Sequence, residues 1–370
     1  MRILFCSDAL IVDGVTSFVL HLAVTLRKGG HRVAVLGRWA GKGFQSRLRE
    51  HGVEIIQCLS PTVGNAWFDR KAAAFAPEVI VTDSRRSFPL AVRLKRVTGA
   101  KVFTFFLDHL EKTDRKGRDV PSLIAGSDAW LSAEPPILER LEEIPTPFPK
   151  FLLRRPLVHM VTPTPLRARE PFRVLCFGRL SGYKSAGPWA LMNDALALKK
   201  EIPSLQLVFV GGGWRSALFR FAAFRANLDA GERFIRVAGT QTDPNPWFEE
   251  ATLVCAGSTS AVEAALAFRP VVVFTGFWIG LLTPEKLDAA FASYFGERSG
   301  TISVRQHPEL LSAEIRKVYG EWEQGRMEEM VRIVRQQVMP SFDDASTVEE
   351  FERICRIVTD GAGASGSMAS

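Results

Sequence analysis

Short unbroken apolar runs alternate along this chain with stretches in which apolar residues recur every three or four positions. Ile3, Leu4 and Phe5 read as a buried strand. A helical stripe follows at Phe18, Leu22, Ala23 and Leu26, and Gly29 and Gly30 stop it. Residues 31–36 predict the next strand, 44–51 a second helix and 52–56 a third strand, with further strands over 77–82 and 101–106. Strand and helix in strict alternation is the mark of a parallel sheet covered by helices on both faces.

Residues 145–171 break the pattern: they are rich in proline (Pro145, Pro147, Pro149, Pro156, Pro163, Pro165, Pro171) and poor in periodic apolar positions. The opening then repeats. Residues 173–177 (Arg-Val-Leu-Cys-Phe) echo residues 2–6 (Arg-Ile-Leu-Phe-Cys), and strands over 205–210, 234–237, 252–255 and 270–274 alternate with helical stretches over 217–227 and 260–268. After Pro308 the pattern is helical, Pro340 interrupts it, and residues 348–358 form a last amphipathic segment. The expected organisation is a doubly wound domain over 1–155, a linker over 156–171, a second such domain over 172–338, a helix over 339–360 that packs back on the first domain, and a disordered tail or cloning remnant over 361–370.

A length of 370 residues is ample for two such cores, and a composition 46% hydrophobic and 24% charged excludes a disordered chain. The formal charge of +7 favours anionic partners without choosing among phosphates, lipid surfaces and nucleic acid. Five cysteines, an odd number in apolar runs, read as reduced core residues. The first apolar run is cut short by Asp8, and Val271 to Leu282 is too short to span a membrane, so the expectation is a cytoplasmic chain.

Parallel sheets bind ligands at the carboxyl ends of their strands, so the loops there are where chemistry is sought. Gly178 to Ser185 follows the strand that opens the second domain, and its Arg179 and Lys184 can reach one anion together, or stand as two solvated cations. Gly211, Gly212 and Gly213 precede Trp214 after the next strand and either admit a phosphate close to backbone or merely turn the chain. Ser258, Thr259 and Ser260 open a helix whose amides and dipole suit a phosphate, with Glu263 placed to meet sugar hydroxyls. The plainer reading of Ser260 and Glu263 is a capping box. In the first half, the loop Ser7 to Ser17 carries Asp13 and Gly14, and Asp108 and His109 follow a strand, as do Arg38, Arg85 and Arg86. There is no G-x-G-x-x-G after the first strand, no P-loop, no H-E-x-x-H, no C-x-x-C, no G-x-S-x-G and no Asp-x-Asp to hold a divalent metal on a diphosphate.

Taken in order, these segments resemble the retaining glycosyltransferases of GT-B fold, in particular the family 4 group that builds bacterial polysaccharide and lipopolysaccharide. The resemblance rests on Asp13-Gly14 after the first strand, on residues 30–35 (Gly-His-Arg-Val-Ala-Val), and on Gly178, Arg179, Leu180 and Lys184 against G-R-L-x-x-x-K-G, with Ser185 for the last glycine. It rests also on residues 203–213 and on Glu263-Ala264 followed by Pro270-Val271-Val272. It implies a GT-B architecture of two Rossmann-like domains and a metal-independent transfer, with retention, from a nucleotide diphosphate sugar to a glycan, lipid-linked or other acceptor, with no further cofactor and no nucleic acid. Arg179, Lys184 and His109 are the implied catalytic residues; Gly14, Gly178, Gly211, Gly213, Ser258, Thr259, Ser260 and Glu263 are the implied donor-binding residues. Cys255 stands where the family often carries a glutamate, eight positions before Glu263. A non-catalytic nucleotide- or glycan-binding relative and a nucleotide-sugar 2-epimerase are the alternatives. The aromatic and basic segment Trp214 to Arg225 suits peripheral contact with an anionic membrane at the inner face, though an ordinary helix packed on its sheet is the plainer reading.

Overall fold

The computed structural model describes residues 1–10, 14–57, 65–84, 87–107, 119–166, 171–241, 243–298, 300 and 302–364. The chain forms two compact units, the first from residues 1–156 together with the end of the chain from Phe342, the second from residues 157–341.

The first unit runs β1 (Arg2–Leu10), α1 (Gly14–Lys28), β2 (Arg32–Ala40), α2 (Lys42–Glu50), β3 (Glu54–Gln57), α3 (Asn65–Phe75), β4 (Val79–Asp83), α4 (Phe88–Thr98), β5 (Lys101–Phe106), α5 (Val120–Gly126), β6 (Ala129–Ser132), α6 (Pro135–Glu142) and β7 (Lys150–Leu152). Its sheet has the order β3-β2-β1-β4-β5-β6-β7, parallel throughout. Both faces are covered, which is why the strands are unbroken apolar runs rather than alternating ones. Ile3, Phe5, Val33, Val35, Val79 and Val81 face one core and Leu4, Cys6, Ala34, Leu36 and Ile80 face the other. β1 extends to Leu10 and α1 begins at Gly14, so the connection between them is shorter than the Ser7 to Ser17 loop expected from sequence.

The second unit runs β8 (Arg173–Phe177), α7 (Ala186–Glu201), β9 (Gln206–Val210), α8 (Ser216–Ala230), β10 (Ile235–Gly239), α9 (Asn245–Glu250), β11 (Leu253–Ala256), α10 (Thr259–Leu266), β12 (Val271–Phe274), β13 (Trp278–Leu281), α11 (Leu287–Ala292), α12 (Leu310–Glu323) and α13 (Met327–Val338). The order β10-β9-β8-β11-β12-β13 repeats the winding of the first sheet, with β13 alone antiparallel. Proline-rich residues before β8 are tied to this unit: Arg269 is 2% exposed and donates to the carbonyl of Thr164, and Asn245 donates to that of Met160.

The last helix, α14 (Asp344–Ala364), returns to the first sheet. Phe351, Ile354, Cys355 and Val358 recur at helical spacing and all enter the core that also holds Phe103, with the Phe103 and Phe351 ring centroids 6.0 Å apart. Burial pushes the Cys355 thiol up to about 12, so it is an apolar core group and not a reactive thiol. Phe351→Ala is expected to destabilise the first unit by about 3–5 kcal/mol, read from denaturant unfolding followed by circular dichroism.

Candidate functional site

In the second sheet the winding reverses between β8 and β11, and the loops after these strands flank the point where open α/β sheets hold ligands. The ends of β8, β9 and β10 are stitched together by backbone bonds that continue the sheet past its strands. Gly178 N–H donates to the Val210 carbonyl at 2.9 Å, Leu180 N–H to Gly212 at 2.9 Å, and Gly211 N–H to Gly239 at 2.9 Å. The approach is too close for side chains: a Cβ on Gly211 would lie 1.7 Å from the Gly178 carbonyl oxygen, and Gly211 has a φ of 148°. The glycines therefore fix the loop that carries Arg179 and Lys184, whatever else they contact.

Arg179 is exposed, and among the described residues no carboxylate pairs with it. Lys184 sits on a 3-10 turn over Gly182–Ser185 and is half-buried. Its Nζ lies 2.8 Å from Oε1 of Glu297, and the Tyr183 hydroxyl donates to the same oxygen at 2.7 Å. The Glu297 side chain is only 6% exposed, and its Oε2 is buried with no hydrogen-bond partner among the described residues. Burial first, and then the bond to Glu297, hold the Tyr183 phenol well above its ordinary range, while Arg298 and Arg179 pull it the other way. Tyr183 is therefore a neutral donor at any physiological pH. Lys184 is thus paired with a buried carboxylate, while Arg179 and Arg298 act on the neighbouring Tyr183 phenol. Further along, Arg215 donates to the buried hydroxyl of Ser185 at 3.4 Å.

Glu297 is the residue that sequence reasoning missed. It is carried by a turn in which Tyr294, Phe295 and Gly296 all have left-handed backbone, with φ of 48°, 51° and 75°. Two bulky residues in that conformation are each unfavourable by about 1–3 kcal/mol, and burial of both side chains holds them there. The Ser293 hydroxyl accepts from Gly296 N–H at 3.0 Å, and the Gly296 carbonyl accepts from the amides of Gly276 and Phe277. No periodicity or motif marks this turn, and a glycine ahead of the acid is the one local signal.

The same turn reaches the start of α10. Ser258 N–H donates to the Phe295 carbonyl at 2.9 Å, so that amide is already engaged, and Ser258 itself is strained at φ 58°. The Thr259 hydroxyl shares a hydrogen bond with the Tyr294 hydroxyl at 3.2 Å. By helix geometry the Thr259 and Ser260 amides have no acceptor inside α10. The capping-box reading is corrected: the N-cap is Ser258, not Ser260, and its side chain makes no capping bond. Glu263 lies in the second turn, half-exposed, too far along to close such a box.

Cys255 offers a ligand nothing. It is 1% exposed in β11, in register with Cys176 of β8, and burial together with a hydrogen bond to Cys176 raises its thiol well above the ordinary value. In the first unit, Gly14 is the first residue of α1, and Arg38 lies on β2. Asp13, Arg85, Arg86, Asp108 and His109 lie outside the described residues. Among the described residues no cluster of His, Cys, Asp and Glu could hold a metal ion, and no helix is long and apolar enough to cross a membrane.

No family model and no curated protein matches the chain. Solved structures do. HepE of Anabaena, in complex with UDP and glucose, aligns with a TM-score of 0.70 at 15% identity over 95% of this chain and 98% of that one. A glycosyltransferase of Rickettsia africae gives 0.71 at 13% identity over 96% and 98%, and sucrose-phosphate synthase of Thermosynechococcus elongatus 0.66 at 15% over 97% and 99%. The fold is GT-B. The two doubly wound sheets of this GT-B chain agree with that alignment along nearly its whole length, and its structural neighbours are glycosyltransferases.

Lys184→Ala is expected to destabilise the second unit by about 1–3 kcal/mol, because it strands the charge of a buried carboxylate. Adding Glu297→Gln should recover most of that loss. A double-mutant cycle from urea titrations measures it, and additive effects would show that the pair does not form in solution.

Proposed function

We propose that this chain transfers a sugar from a nucleotide diphosphate donor to a glycan or lipid-linked acceptor, with retention and without a metal ion. The observation that carries the reading is that one loop at the carboxyl end of β8, beside the switch point, carries both exposed Arg179 and a Lys184 already oriented by Glu297. The neighbours support the donor class: HepE is solved with UDP and with UDP-glucose.

In this reading the Arg179 guanidinium grips a diphosphate oxygen as a fork, and the Lys184 ammonium lies against the oxygen that leaves the sugar. Negative charge grows on that oxygen as the glycosidic bond breaks, so a fixed cation favours the transition state over the bound donor. Glu297 and Tyr183 keep Lys184 from wandering, which places its charge before the donor arrives. The Thr259 and Ser260 amides add donors to the diphosphate at the positive end of α10, Gly178, Gly211 and Gly213 let it approach backbone, and Glu263 accepts from ribose hydroxyls. His109 and Gly14 are assigned to the transferred sugar in this reading because the family resemblance implies it. The buried Cys255 leaves that sugar without the acid of the family pattern, which is the observation favouring a chain that binds nucleotide without turnover.

Saturation with UDP at about 100 times its dissociation constant is expected to stabilise the folded chain by about 2.7 kcal/mol, read as a thermal shift. Arg179→Ala and Lys184→Ala should each abolish most of that shift and lower kcat/KM by roughly two orders of magnitude or more with the productive donor. Absence of a shift with uridine, guanosine and adenosine diphosphates alike would overturn the reading. A shift without transfer to any acceptor assigns the chain to nucleotide binding, and release of an isomerised free sugar assigns it to epimerisation.

A further inference from the structure

The α8 helix buries one face and leaves the other apolar. Phe219, Ala223 and Ala226 pack on the second sheet, while Trp214, Leu218, Phe221, Phe224 and Leu228 are 70%, 50%, 63%, 63% and 65% exposed. The four on α8 recur at spacings of three and four, so at about 100° per residue they fall in one arc of roughly 120° opposite the buried face, and Trp214 stands just ahead of the helix. Together they expose apolar area on the order of the largest patch that a soluble monomer normally shows. Scattered surface residues do not line up in this way.

Charge is arranged around the same arc. Arg225 falls within it, Arg220 on its flank and Arg215 at the helix N-cap, and Asp229 is the one acid between Trp214 and Ala230. Arg220 and Arg225 are exposed and, among the described residues, make no ion pair, while the Arg215 guanidinium stacks on the Trp214 ring at 4.8 Å. Aromatic and leucine side chains between arginines that can reach upward match a lipid interface, where rings enter the acyl boundary and guanidinium groups meet headgroup phosphates. A symmetric pairing with a second copy fits less well, because a two-fold axis on this arc brings Arg225 toward its own equivalent.

We infer that the exposed face of α8 is a docking surface for an anionic lipid membrane, on which the chain lies with α8 in the plane of the headgroups. The helix begins two residues beyond Trp214, directly after the glycine loop of β9, and Arg215 bonds Ser185 beside Lys184. Docking therefore brings the candidate site to the membrane margin, within reach of an acceptor held in lipid. The surface argument stands without the glycosyl-transfer reading and deepens it only in that last respect.

The test is cosedimentation of the full chain with vesicles of phosphatidylcholine alone and of phosphatidylcholine mixed with phosphatidylglycerol. Binding is expected to be at least about tenfold tighter to the anionic vesicles and to weaken as salt rises from about 50 to 200 mM. Phe221→Ser with Phe224→Ser, and separately Arg220→Gln with Arg225→Gln, should each weaken it about tenfold or more, with unchanged thermal melting because all four side chains are exposed. Lys184→Ala should bind vesicles normally while losing the UDP shift, which separates the two readings. Equal binding to both vesicle types, no binding, or binding indifferent to the Phe221 and Phe224 changes overturns the inference. A lipid-free dimer that those same changes dissolve overturns it too, and assigns the face to a second copy.

Discussion

A carboxylate buried to 6% exposure beside an ammonium is the interaction on which the candidate site depends. Glu297 is unfavourable where it sits unless something offsets its charge, and Lys184 and Tyr183 together do so. The consequence is mutual. Lys184, a long flexible side chain, loses its freedom before any anion is present, and the β8 loop keeps one conformation. An anion that arrives meets a fixed charge rather than one that must first be ordered, which is how a preorganised site lowers a barrier.

Holding Glu297 there takes the strained run Tyr294–Gly296, and holding that run takes the close approach of two other segments. Ser258, Gly276 and Phe277 all bond to its backbone. The sheet supplies the platform: Cys176 and Cys255 fill adjacent positions on β8 and β11 with small, unreactive side chains, so the two strands and the loops beyond them stay in register. A charged residue at 255 would place its carboxylate in this core.

α8 illustrates a second balance. Its buried face is small, built on Phe219 and alanines, which lets it lie close to the sheet, while its large apolar residues point away. Fold stability alone does not account for four exposed large side chains in one arc with Trp214 exposed just ahead of it.

How much of this was legible beforehand divides along a physical line. The alternation of apolar runs and helical stripes determined the doubly wound α/β class, because burial on two faces of a parallel sheet leaves a local trace in every strand. The glycine and basic residues after β8 and β9 were visible for a similar reason, since strand ends announce where loops begin. The N-cap of α10 was misplaced, because serines at 258 and 260 are equivalent locally and only the bond from Ser258 to Phe295 distinguishes them. Glu297 left only the glycine ahead of it as a trace, being 114 residues along the chain from the Tyr183 that it binds. The sequence by itself thus determined the alternating α/β class, the central strands of both sheets and the residue types of the loops after them, while β6, β7 and β13 went unread. Which charges meet was decided by tertiary structure alone, because an ion pair across a fold depends on distances in space that no local pattern encodes.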